Sequence, residues 1–84
     1  MFKPPPQPSN SFRVTLELSS RQRIDNVLLA ELKIQDRNAQ LKNISRNGLK
    51  KLFKEKRIQL KGQSAVPSSE LAEGISFVDI LGYS

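Results

Sequence analysis

SRNGLKKLFKEKRIQLKG, residues 45–62, contains a helix, a strand and a turn in immediate succession. Ser45 is a good N-cap because its side-chain oxygen can accept a bond from an unpaired amide of the first helical turn. The spacing of Leu49, Leu52 and Phe53 is i, i+3, i+4. It therefore predicts an amphipathic helix over 46–56 with those three residues on the buried side. Gly48 weakens the helix start by about 1 kcal/mol relative to alanine. Residues 57–60 then read as a short strand with Ile58 and Leu60 on one side. Lys61-Gly62 is a turn signal, since Gly62 is free to take a positive φ.

The same segment concentrates the charge. Lys42, Arg46, Lys50, Lys51, Lys54, Lys56, Arg57 and Lys61 are opposed between positions 42 and 61 by Glu55 alone. The formal charge of the whole chain is +6. No Lys or Arg follows Gly62, whereas Glu70, Glu73 and Asp79 do. At about 100° per residue, Arg46, Lys50, Lys54 and Lys51 fall within an arc of roughly 140°. Leu49, Leu52 and Phe53 fill a separate arc of about 100°. Cations at i, i+4 repel one another by a few tenths of a kcal/mol per pair. A helix face that accepts this repulsion points to an anionic partner, because an ordinary solvated face mixes charge signs. A membrane-surface helix would need its bulky apolar residues free, and here the core needs them.

Outward from this segment, Phe12, Val14, Leu16 and Leu18 alternate with Arg13, Thr15 and Glu17, which predicts a half-buried strand over 12–18. Ser19 and Ser20 offer caps for a helix over 21–32, with Ile24, Val27, Leu28 and Leu32 as its buried stripe. Residues 33–44 read equally as a helical extension or as a loop. Downstream, 63–66 reads as a returning strand, Pro67-Ser68-Ser69 as a turn, and 75–81 as a closing strand after Gly74. The expected domain covers 12–84. Residues 1–11, MFKPPPQPSNS, read as an extended or disordered tail because prolines lack amide donors. A Pro-x-x-Pro pattern at Pro5–Pro8 carries little weight beside the plain tail.

Composition removes several chemistries. The 84 residues suffice for one small domain, and they include no cysteine and no histidine. Disulfides, thiolate chemistry, the commonest general base and the commonest metal ligand are all absent. No acid/base pair stands out. The expectation is a non-enzyme without metal or cofactor. No apolar run suits a secretory signal or a membrane span, so a cytoplasmic protein is expected.

The order of these elements and several local motifs resemble the S4 RNA-binding domain, the alpha-L motif family, over residues 23–78. Arg23-Ile24-Asp25 stands where the family has Arg-Leu-Asp, and Leu28-Leu29-Ala30 lies in the helix after it. Ser45-Arg46 opens the second helix, with Leu49, Lys51, Leu52 and Phe53 at the expected places. Ile58-Gln59-Leu60-Lys61-Gly62 matches the strand–turn that follows, and Pro67-Ser68 and Gly74 come in order. The strand over 12–18 resembles the lead-in to this module in large-subunit pseudouridine synthases. The sequence departs from the pattern at Lys56, where glycine usually ends the helix, at Lys61 in place of asparagine, at Ile75 in place of aspartate, and in a longer 33–44 connection.

The resemblance implies an α+β alpha-L RNA-binding fold, with two main helices packed on a small, mostly antiparallel sheet. It implies contact with structured RNA, ribosomal or transfer, through the second helix and the following strand and turn. Arg46 and Lys51 match motif positions. Arg23 matches the motif arginine, with pairing to Asp25 as an equal alternative. Lys50, Lys54, Arg57 and Lys61 are assigned to the RNA surface on charge and geometry. Phe53 is expected in the core and Tyr83 lies near the terminus, so phosphate and shape recognition is favoured over base stacking. A monomer is expected. The competing readings are a basic protein-interaction module, a DNA-binding domain, and an RNA-targeting fragment or homologue of a modifying enzyme such as a pseudouridine synthase.

Overall fold

A computed structural model describes residues 6–83. Positions 1–5 of the expected tail, Pro5 of the Pro-x-x-Pro pattern among them, lie outside the described residues. In chain order the elements are β1 (Ser11–Leu18), β2 (Gln22–Arg23), α1 (Ile24–Ile34), α2 (Ala39–Lys42), α3 (Arg46–Lys54), β3 (Ile58–Leu60), β4 (Gln63–Ser64), β5 (Glu70–Leu71) and β6 (Gly74–Leu81). This is an α+β fold. Four strands form an antiparallel sheet in the order β1-β6-β3-β4, and β2 pairs with β5 in a separate ribbon.

β1 keeps the alternation of its sequence: Phe12, Val14, Leu16 and Leu18 are buried, while Thr15 and Glu17 are exposed. It starts one residue earlier than expected, at Ser11, which is itself buried and donates its hydroxyl to the Pro8 carbonyl. The helices cover the apolar side of the sheet. Ile24, Leu28, Leu29 and Leu32 of α1, Leu41 of α2, and Leu49, Leu52 and Phe53 of α3 join the strand residues in one core. Leu29 is buried where Val27 was expected, and Val27 is only half-buried. α1 meets β1, β2, α2 and α3 together, so its covered arc is wider than a single stripe.

α1 does not start at Ser19 or Ser20. Its N-cap is Arg23, in extended backbone and without a side-chain cap bond. Tertiary pairing replaces the cap: Gln22 and Arg23 pair with Leu71 and Glu70, and the Ile24 amide donates to the Ser69 carbonyl at 2.8 Å.

The 33–44 connection proves to be neither a plain extension nor an open loop. α1 stops at Ile34, and Gln35 ties the bend together. Its amide nitrogen donates to the Leu32 and Asn38 carbonyls, and its side-chain oxygen accepts from the Arg37 and Asn38 amides. Asn38 then caps α2 by accepting from the Leu41 amide at 3.0 Å. Fully buried Leu41 anchors the connection to the core.

α3 is capped as expected, with the Ser45 hydroxyl oxygen accepting from the Gly48 amide at 3.0 Å. Gly48 has a packing reason: a Cβ there would come within 2.9 Å of Ile44 Cγ1. The helix ends at Lys54, short of the expected 56. Lys56 takes φ +60, its amide donates to the Phe53 carbonyl, and the Arg57 amide donates to the Leu52 carbonyl. These two bonds make the left-handed helix stop that usually carries glycine. The departure from glycine at this position therefore does not remove the stop, because the chain forms it with lysine. The β3–β4 hairpin closes through Lys61 (φ +54) and Gly62 (φ +79), with Leu60 opposite Gln63. Two positive φ values at a two-residue loop define a type I′ turn.

No helix among the described residues is long and apolar enough to cross a membrane.

Candidate nucleic-acid interface

Because Leu49, Leu52 and Phe53 face the core, α3 turns Arg46, Lys50, Lys51 and Lys54 to solvent, and all four are exposed. Lys50 joins the depressions on this surface. Beside Arg46 it borders a small dip that includes Asp25. With Lys51 and Lys54 it lines the open face of the helix. With Lys54 and Lys56 it forms one wall of a groove whose other wall is residues 64–67 and whose lining includes Phe53.

The one acid between positions 42 and 61, Glu55, borders this open face with Lys50, Lys51 and Lys54. Glu55 pairs with Arg57 at 3.4 Å. Among the described residues, Lys50, Lys51, Lys54, Lys56 and Lys61 have no carboxylate within salt-bridge distance. Unpaired ammonium groups crowded on one face produce a positive potential that attracts a polyanion.

The other expected contacts divide. Arg46 is exposed at the start of α3, its guanidinium 3.4 Å from Asn26 Oδ1. Arg23 pairs with Asp25 at 3.1 Å, the structural alternative weighed for it, although more than half of its side chain stays open to solvent. Asp25 also lines the dip beside Arg46 and Lys50, which places Arg23 at the edge of the cationic strip. Lys61 stands exposed at the hairpin turn, whose returning strand supplies the far wall of the groove through Ser64.

The chain matches no family model, no curated protein and no solved structure.

Arg57 is engaged inside the fold. Its Nε donates to the Leu81 carbonyl at 3.0 Å, its guanidinium lies 5.3 Å from the centre of the Tyr83 ring, and its own carbonyl accepts from the Leu81 amide. It thus clamps the end of β6 to the start of β3. Gly82 makes room for the clamp, since a Cβ there would overlap the guanidinium, and φ is +86. Gly82→Ala is expected to cost at least about 1–2 kcal/mol from backbone strain alone. Urea melts should show this loss, with the cationic face of α3 unaffected.

Lys56 was counted in the charge run but not assigned to the surface. Continued helical winding would carry it to about 280° from Arg46, inside the apolar arc. The left-handed stop removes it from the helix and returns it to the groove. A lysine at a position where the wheel calls for an apolar residue is itself a sign that the helix has ended.

Proposed function

We propose that the protein binds structured RNA, ribosomal or transfer, without catalysing a reaction, and that it does so through the outward face of α3 and the adjoining groove. One observation carries this reading: Arg46, Lys50, Lys51, Lys54 and Lys56 gather on one side, where the local acid Glu55 is paired with Arg57, while the apolar residues of α3 are buried. Free ammonium groups at this density suit phosphate oxygens, and counterion release drives such binding. The strand–helix–helix–hairpin–strand order and the motifs at Arg23-Ile24-Asp25 and Ser45-Arg46 support an alpha-L module. Because, among the described residues, the groove has no aromatic platform beyond largely buried Phe53, recognition of backbone and shape is favoured over stacking.

The test is fluorescence anisotropy with a folded RNA hairpin, competed in turn by duplex DNA of equal length and by heparin. The hairpin is expected to bind with steep salt dependence and to resist both competitors at equal charge. Equal displacement by heparin would reduce the surface to a general polyanion binder. Displacement by duplex DNA alone would favour DNA as the partner. Arg46→Ala and Lys51→Ala should each weaken binding by about three- to tenfold and leave the melting temperature within a degree or two, since both side chains are exposed. Unfolding of either variant would show the side chain to be structural.

A further inference from the structure

We infer that the groove between the end of α3 and residues 64–67 seats an internal phosphodiester of the RNA, and that Lys56 is held there at the expense of fold stability. This rests on the RNA-binding reading above and adds to it a site and a residue.

The first observation is the backbone. Lys56 has φ +60, a region that side chains with a Cβ avoid and glycine enters freely. Both hydrogen bonds of the helix stop are made by main-chain atoms, the Lys56 and Arg57 amides. Glycine would make the same stop with less strain, so the side chain adds nothing to the cap. It is exposed and has no acidic partner among the described residues. A strained residue that serves no local structural need points to a function for its side chain.

The second observation is where that side chain lies. Lys50, Lys54 and Lys56 border the same groove, opposite Val66 and Pro67. Val66 is 56 % exposed, one of the few large apolar side chains left open. An apolar wall limits solvent on one side and so strengthens attraction for an anion held by the other. Three ammonium groups facing one groove repel one another until an anion enters. A sugar-phosphate backbone fits both walls, with phosphate oxygens toward the lysines and the carbon edge of a ribose toward Val66 and Pro67.

Lys56→Gly separates the two roles. Its melting temperature is expected to rise by about 4 °C as the strain is released. Its affinity for the RNA hairpin should fall by about three- to tenfold near 0.1 M salt, and the slope of log K against log salt should lose about one. Lys33→Gln, the same loss of charge in the last turn of α1, should change affinity less than about twofold. Val66→Glu brings a carboxylate to the opposite wall and should weaken binding by about tenfold or more.

If Lys56→Gly melts higher but binds as tightly as Lys33→Gln, the groove is not a phosphate seat and the inference fails alone. A lower melting temperature for Lys56→Gly would overturn the claim that stability is sacrificed there. Failure of the unaltered protein to bind the hairpin would overturn the RNA reading and this inference with it.

Discussion

Asp79→Ala is expected to lower the melting temperature by at least about 12 °C, the largest loss of any single substitution considered. Asp79 is 3 % exposed at the middle of β6, paired with Arg13 of β1 on one side and Gln59 of β3 on the other. Its two carboxylate oxygens accept from Arg13 Nε at 2.8 Å and Nη2 at 3.0 Å. The Arg13 side chain is only 14 % exposed and also lies against the Phe77 ring. Removing the carboxylate of a buried, hydrogen-bonded ion pair costs about 3–5 kcal/mol. A chain of this size has about 4–13 kcal/mol in total. The loss is therefore about a quarter or more of the stability, and nearly all of it at the low end of that range. Asp79→Asn keeps one acceptor and should lose less. Arg13→Met with Asp79→Leu removes both charges and should recover most of the stability, because well-packed apolar residues often replace a buried pair without loss. Circular dichroism melts of the four proteins give the answer, and a fall of less than about 12 °C for Asp79→Ala would contradict it. The hydrogen bond to Asp79 raises the Arg13 pKa above its ordinary value, with burial acting the other way. A raised basic group stabilises at every pH below its unfolded pKa and is lost only above it. The contribution of the pair should therefore stay constant as pH rises from 7 to about 11.

That pair shows where sequence reading stops. Local pattern puts Arg13 on the solvent side of a strand and leaves Asp79 as one acid among those after Gly62. The partners are 66 residues apart in sequence, and only the β1–β6 register brings them together. Elements with a clear local period were legible: β1 by its alternation, α3 by its Ser45 cap and apolar spacing, and β6 after Gly74. The start of α1 was not, because β2 and β5 are two residues long and their pairing leaves no periodic trace. On the candidate site, the helix wheel correctly grouped Arg46, Lys50, Lys51 and Lys54. It could not tell a free cation from a clamped one. Arg57 looked like its neighbours by charge, yet Leu81, Tyr83 and Glu55 hold it. Lys56 looked spent within the helix, yet the left-handed stop frees it.

Reversing charge at Lys50 and Lys54 together should abolish RNA binding with little effect on folding. Both side chains are exposed on α3, and both line the groove and the open helix face. The fold loses no contact of consequence. A carboxylate in the last turn opposes the helix dipole by about 0.3–1 kcal/mol, a small part of the total. Binding loses far more. If Arg46, Lys50, Lys51, Lys54 and Lys56 each meet a phosphate, log K should fall with log salt at a slope of about −4 to −5. Two lost contacts remove about two from that slope, and two new carboxylates repel the phosphates that remained. The expected loss at 0.1 M salt is at least about a thousandfold. Each reversal also takes two units from the formal charge of +6, so long-range attraction falls as well. Lys33→Glu with Lys42→Glu makes the same change in net charge at residues that do not line the α3 depressions. Lys42 already pairs with Asp36 there, so its removal leaves the α3 lysines as they were. That control should weaken binding by less than about tenfold, since screening at 0.1 M salt limits the reach of a charge to roughly 10 Å. If the two double variants bind equally poorly, the RNA responds to net charge rather than to a face. The grouping of the lysines on α3 would then be only a consequence of keeping its leucines in the core.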